Sequence, residues 1–454
     1  MTGAASVSIP FISDIRPGRL NAADYALHFA DARPPLTPAQ ALLEAERCLY
    51  CFDAPCVTAC PTAIDVPSFI RRIADGNVRG AARTILESNP LGGMCARVCP
   101  TETLCEGACV RTAQQGQPVA IGRLQRHAVD ALMDSRRPQL FTRAPPTGRK
   151  VAVVGAGPAG LACAHTLALR GHDVVVLDAR AKAGGLNEYG LAAYKTPGDF
   201  AQRELQWLLA VGGIEVRTGW ALATVAQLDA LRRDYGAVFL GMGLATTHKF
   251  GVPGEDLAGV EDAVDFIARL RQCADKSLLP IGRRVVVIGG GMTAVDAAVQ
   301  SRLLGAESVH IAYRRGPESM SASQEEQHWA QTNCVAIRHW LAPVEISGQG
   351  GQASGVTFAR QALAGGQLQA TGDTEFFAAD MVFKAIGQTL GNPVLRDAGL
   401  AMEGGRLATA EDGATSLPGV WAGGDCRAGG LDLTVEAVAH GKCAAEAIHA
   451  HFSR

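Results

Sequence analysis

Twice in this chain a short run of valines ends in a cluster of glycines, continues as a helix and returns as a second strand. The first copy runs from Val151 through Gly155-Ala156-Gly157-Pro158-Ala159-Gly160 to Arg170, then from Asp173 to Leu177, with Asp178 at the strand end. The second spans Arg284 to Tyr313 around Gly289-Gly290-Gly291-Met292-Thr293-Ala294, 134 positions further on. Glycines in these places allow a tight turn and bring a pyrophosphate up to the helix N-terminus, where free N–H groups and the helix dipole meet it. A carboxylate closing the second strand accepts ribose hydroxyls. One glycine triplet is a weak signal, but strand, turn, helix and acid stand in register, so Gly155, Gly157, Gly160 and Asp178 read as a dinucleotide site. Repetition of the unit predicts a second nucleotide.

The second copy departs from the first in two ways. Ala294 takes the third glycine's place beside Gly289 and Gly291, and the strand ends in Tyr313-Arg314-Arg315 where Asp178 stood. Loss of the carboxylate removes repulsion toward a 2′-phosphate, and two guanidiniums attract one, which favours NADP(H) over NAD(H). A solvated basic pair is the alternative, and either nicotinamide stays open.

Upstream of the first copy the chemistry changes to sulfur. Of 13 cysteines, eight fall between Cys48 and Cys109, as Cys48-x2-Cys51-x4-Cys56-x3-Cys60-Pro61, Cys95-x3-Cys99-Pro100 and Cys105-x3-Cys109. Zinc sites usually bring two tight pairs separated by a dozen residues or more, whereas four cysteines ending in Cys-Pro resemble ferredoxin ligation. Iron-sulfur is the expectation and zinc the alternative. On spacing alone Cys95 is the eighth ligand.

Helical periodicity is visible over Thr37 to Glu46, Pro67 to Ala74, Arg79 to Glu87 and Gly122 to Met133, with no convincing sheet before residue 147. Pro145-Pro146 and Gly148 mark a boundary. The expected fold is α/β: a helical iron-sulfur domain over 1–147, followed by two nested Rossmann-like domains. One is discontinuous and binds FAD (148–249 and 387–454), and the other binds NAD(P)H (250–386). A length of 454 residues accommodates about three such domains, and hydrophobic residues at 48% exclude a mainly disordered chain. The formal charge of -2 speaks against nucleic acid as a partner. No leader pattern and no long apolar run is seen, so the chain reads as cytoplasmic and free of the membrane.

Near the C-terminus, Val420 leads into Gly423-Gly424-Asp425, and a helix begins near Leu433. In flavoproteins with two dinucleotide units such an aspartate holds the ribityl chain, and the next helix points its N-terminus at the isoalloxazine. An ordinary helix cap is the alternative. Cys273 and Cys334 stand alone in the second nucleotide region, so no Cys-x-x-Cys relay is expected there. Cys163 and Cys443 read as packing or surface thiols, and Cys426 as packing beside the flavin.

Cysteines, two nucleotide units and the Gly-Gly-Asp segment in this order resemble the glutamate synthase small-subunit family from about Leu42 onward. Within it the sequence looks most like the N-terminal half of dihydropyrimidine dehydrogenase and the separate flavin subunit of the bacterial two-subunit enzyme. Ala120-Ile121-Gly122-Arg123-Leu124-Gln125, Phe239-Leu240-Gly241-Met242-Gly243-Leu244 and Leu433-Thr434-Val435-Glu436-Ala437-Val438 with Gly441-Lys442 carry the narrower match. The resemblance implies one [4Fe-4S] cluster on Cys48, Cys51, Cys56 and Cys109. It implies a second on Cys60, Cys99, Cys105 and Gln125, with Cys95 spare. Gly185, Leu186, Gly243, Gly424, Asp425 and Thr434 are the further cofactor contacts expected. Ser321 stands where the eukaryotic enzyme has another basic residue, and the bacterial relative uses NAD. The resemblance further implies hydride transfer from NAD(P)H to FAD and electrons passing singly through the clusters. Their destination would be a separate FMN-bearing subunit that reduces pyrimidines, in a hetero-oligomer. The glutamate synthase small subunit is the runner-up, and a non-catalytic assembly protein the rival from another class.

Overall fold

The computed structural model describes residues 14–453, which fall into two compact units: 31–246 with 388–453, and 14–30 with 247–387. The chain thus leaves and re-enters the larger unit once.

In the larger unit the cysteine-bearing segment is helical. Thr37 caps the helix Pro38–Ala45 through a capping box with Gln40, and Asp65 caps Val66–Ala74. Helices Val78–Ser88, Gly92–Val98 and Ile121–Met133 complete the frame, with Phe69, Ile70, Ile85, Leu86, Leu124 and Val129 buried between them. The helices expected from periodicity are present, each within a residue or two of the expected bounds. This layer shares one hydrophobic core with a five-stranded parallel sheet. Strand order in the sheet is Val420–Ala422, Ala237–Leu240, Lys150–Val154, Asp173–Asp178, Ile214–Thr218. Its central strands are valine-rich because helices cover both faces and leave no solvated side.

The smaller unit repeats the plan. Its parallel sheet runs Val335–His339, Ser308–Tyr313, Arg284–Ile288, Met381–Lys384, Val260–Asp262. An antiparallel sheet of Leu341–Gln349, Gln352–Ala364 and Gln367–Ala378 is added to it. One expectation is corrected here: the first 147 residues do contribute a strand. Ile15–Arg16 pairs antiparallel with Ile281–Gly282, and the Tyr25 hydroxyl and His28 Nδ1 meet the carbonyls of Leu304 and Leu303. A two-residue strand is too short to leave a period in the sequence.

Candidate functional site

The two glycine turns are built alike. Gly155 (φ +104°) sits so close to the neighbouring strand end that a Cβ would lie 2.3 Å from Gly241 O, and Gly289 (φ +149°) stands 2.1 Å from Ala385 O in the same sense. By contrast, a Cβ on Gly157 would meet nothing nearer than Gly185 Cα at 3.8 Å. Packing therefore does not demand glycine at 157; the space above it is a cradle for a ligand that approaches the backbone. The N–H groups of Ala159 and Gly160, at the head of helix Pro158–Leu169, find no acceptor among the described residues. Asp178 is committed locally, its Oδ2 accepting from Ala156 N (2.7 Å) and its Oδ1 from Arg180 N (2.8 Å). It holds the glycine loop shut, and each oxygen keeps a lone pair for a ribose hydroxyl.

Around this cradle gather the C-terminal residues. Gly424 (φ +72°) and Asp425 form a short 3-10 turn after strand Val420–Ala422, and helix Thr434–Phe452 starts beyond it. Burial, then the nearby Asp432 charge, pushes the Asp425 carboxyl up to about 6 against the pull of Arg406. No hydrogen bond among the described residues uses that carboxylate, since Arg406 is paired with Asp432. The Thr434 hydroxyl donates to Asn187 Oδ1 (3.0 Å), and the N–H groups of Thr434 and Val435 have no acceptor among the described residues. Gly185 (φ +56°) and Leu186 lie in the turn facing Gly157, and a Cβ on Gly243 would meet open space. An open cradle, a half-buried carboxylate without a partner and a free helix N-terminus fit an extended, hydroxyl-bearing cofactor such as FAD. Sequence reasoning assigned no role to Glu436, in the first turn of this helix, or to His440, about two turns in. His440 Nδ1 accepts from Gly424 N (3.3 Å), and burial lowers its pKa to about 4, so the ring is neutral. Glu436 Oε2 takes Leu431 N at 2.6 Å.

The eight clustered cysteines fall into two neighbourhoods. Burial, then Cys51 and Cys109 close by, raises the Cys48 thiol; burial, then Cys48 and Cys109, raises Cys56 to about 11. In the other neighbourhood a hydrogen bond with Cys95 raises Cys99, as do burial and the proximity of Cys105 and Cys60. A cavity there is lined by Cys60, Cys95, Cys99, Cys105, Gln125 and Val435, among others. Thiols that hold one another protonated are a donor set suited to a positively charged inorganic core. Both candidates for the eighth position line the same cavity: Cys95 is 2% exposed and Gln125 7%. Among the described residues no three His, Cys, Asp or Glu side chains converge as a single metal ion would need.

Another residue that sequence reasoning missed is Glu204, on helix Phe200–Leu209. Fully buried, its Oε1 accepts from Gly93 N at 2.6 Å, and Oε2 from Met94 N at 3.1 Å, at the start of the helix that carries Cys95. Burial raises its carboxyl to about 8, against the pull of those N–H groups and of Arg97. Its signal in the sequence is a glutamate on the apolar face of an amphipathic helix, beside buried Phe200, Leu205 and Leu208.

In the smaller unit a Cβ on Gly291 would meet the Ser321 Oγ at 3.3 Å, closer than anything near Gly157, and buried Ala294 stands at the third position. Met292 and Thr293 N–H groups are free of acceptors among the described residues. Arg314 and Arg315 are exposed, and neither side chain enters an ion pair or hydrogen bond among the described residues. Fold and site together define an NAD(P)-dependent flavin and iron-sulfur oxidoreductase.

Comparison with known proteins agrees. Residues 149–441 match the pyridine nucleotide-disulphide oxidoreductase family, to which the chain belongs. Residues 25–137 match the family described as dihydropyrimidine dehydrogenase domain II, 4Fe-4S cluster, which sets the zinc alternative aside. The NAD-dependent dihydropyrimidine dehydrogenase subunit PreT of Escherichia coli is 35% identical over 92% of this chain and 95% of its own. The glutamate synthase [NADPH] small chain of Escherichia coli is equally similar, 35% identical over 93% of both chains. Among solved structures, thioredoxin reductase of T. acidophilum aligns with 67% of this chain and 100% of its own, at TM-score 0.53 and 22% identity. FprA of Mycobacterium tuberculosis in complex with NADPH aligns with 68% and 85%, at TM-score 0.56 and 18% identity. Both show the shared fold of the nucleotide-binding region. No helix among the described residues is long and apolar enough to cross a membrane.

Proposed function

We propose that this chain is an electron-input subunit that oxidises NAD(P)H and passes electrons through FAD and two [4Fe-4S] clusters to an FMN-bearing partner that reduces uracil or thymine. The observation that carries the reading is Val435. It belongs to the first turn of the helix that faces the flavin cradle, and it also lines the cavity of Cys60, Cys99, Cys105 and Gln125. The two sites therefore share a wall, as electron transfer between them requires.

In this reading Cys48, Cys51, Cys56 and Cys109 hold one cluster, and Cys60, Cys99, Cys105 and Gln125 the other. Gly155, Gly157, Gly160, Asp178, Gly185, Leu186, Gly243, Gly424, Asp425 and Thr434 hold FAD, and Gly289, Gly291, Ala294, Arg314 and Arg315 the nicotinamide nucleotide. Bound flavin supplies the conversion between a two-electron donor and one-electron carriers. The chain's own residues position and shield. Asp425 would accept hydrogen bonds from the cofactor's hydroxyls, and the free N–H groups of Thr434 and Val435 would meet negative charge. Lys442 donates to Glu87 O and Ser88 O (2.9 and 2.6 Å), clamping the flavin helix to the end of a helix of the cysteine layer. Five of the exposed large apolar side chains, Leu42, Leu43, Leu49, Tyr50 and Phe52, crowd the segment around Cys48 and Cys51, with Phe52 100% exposed. Such a patch beside a redox group suits a protein acceptor.

Mixing the purified chain with an FMN-bearing pyrimidine-reducing subunit and uracil, while following NADH and NADPH oxidation, tests the reading. Coupled formation of dihydrouracil is expected. Coupling only to a glutamate synthase large subunit, which the equal similarity to that small chain keeps in play, would redirect the partner and leave the electron-input role standing.

A further inference from the structure

One peptide group in the larger unit is gripped from both ends. Its N–H, that of Gly93, donates to Glu204 Oε1 at 2.6 Å, and its carbonyl, that of Gly92, accepts from Gln125 Nε2 at 2.6 Å. Both glycines are required for this approach. A Cβ on Gly93 would lie 2.5 Å from the Phe200 ring and 2.8 Å from Glu204 Oε1, and one on Gly92 2.6 Å from Ile85 Cγ2. A carbonyl only accepts, so the amide group that meets Gly92 O must be the NH2 of Gln125. Its Oε1 is left as the atom available to the cavity, and no hydrogen bond among the described residues occupies it.

We propose that Glu204 is a positioning residue for the Gln125-bearing cluster: it fixes the Gly92–Gly93 peptide, whose carbonyl holds the Gln125 amide with its oxygen toward the iron. The inference rests on the assignment of Gln125 as a ligand and deepens it. An amide is a weak ligand with two ends, only one of which binds iron, so a device that prevents its rotation has a function a thiolate ligand would not need. Hydrogen bonds in series also polarise one another, so an acceptor at Gly93 N–H strengthens the grip of Gly92 O on the amide. Arg97 completes the surround. It donates to Gly93 O (3.0 Å) and to Asp130 (2.7 and 2.9 Å), and its guanidinium lies 3.4 Å from the centroid of the Phe200 ring.

The test compares Glu204→Ala, Glu204→Gln and Gln125→Ala in the full chain, purified without oxygen. Iron content, the low-temperature electron spin resonance of the dithionite-reduced protein and the potential of each cluster are recorded. Glu204→Ala should shift the spectrum and potential of one cluster in the same direction as Gln125→Ala, or lower its iron, while the other cluster and the flavin stay unchanged. Glu204→Gln keeps an acceptor carbonyl at Gly93 N–H and should restore the wild-type signal. Once Gln125 is alanine, adding Glu204→Ala should move the spectrum no further. Should Glu204→Ala not fold, Glu204→Asp, which withdraws the acceptor by one methylene, should give the same shift in smaller measure. Unmoved spectra and potentials in the Ala and Asp variants, with both clusters retained, would overturn the proposal and leave Glu204 a helix cap. Loss of the cluster in Cys95→Ala with no change in Gln125→Ala would instead remove the ligand assignment beneath it.

Discussion

Arg314 and Arg315 are the clearest case of chemistry carried by single side chains. Exposed and without ion-pair partners among the described residues, they are free for a 2′-phosphate. Replacing both by alanine should weaken NADPH by about one to two orders of magnitude for each charge-assisted hydrogen bond lost, and NADH far less, given about 1.5–3 kcal/mol per such bond. Steady-state KM and direct titration with both nucleotides measure it, and equal losses would make the pair scaffold. Residues of this kind can be proposed from the sequence because the proposed role lies in their own chemistry. Cysteine, the turn glycines and paired arginines mean much the same wherever they stand. Glu204 and His440 cannot be, because each acts through a partner distant in sequence or through burial that only the fold creates. Glu204 lies 111 positions from Gly93.

At the scale of elements, four helices of the cysteine-bearing segment and the two strand–turn–helix units followed from period and punctuation, whereas the short helix Gly92–Val98, the strand Ile15–Arg16 and the antiparallel sheet of 341–378 did not. Packing between elements sets the pH response. Glu204, buried between helices Phe200–Leu209 and Gly92–Val98, has its carboxyl raised from 4.5 to about 8, chiefly by burial. A folded-state pKa above the unfolded one means the native state binds the extra proton, so stability falls as pH rises between these values. The stabilisation is fully present below about 4.5 and lost as pH passes through about 8. Thermal melts across this range should show the decline, and Glu204→Gln, which has no proton to lose, should flatten it. An identical slope in the variant would place the pH dependence elsewhere.

At the scale of the whole molecule, the proposed cluster and flavin sites share a unit but not a cradle. Cys51→Ala should cost one cluster and leave flavin bound, because the flavin residues lie on the sheet and C-terminal helix rather than the cysteine layer. Flavin absorbance and iron content of the purified variant check this. Loss of both would show that the clusters hold the helical layer, and the core it shares with the sheet, in place. On the proposed function, one chain carries the converter and two one-electron carriers together. Iron, zinc and flavin analysis of protein purified without oxygen tests it most directly. About one flavin and about eight irons per chain, roughly four for each cluster, are predicted; zinc with negligible iron would contradict the account.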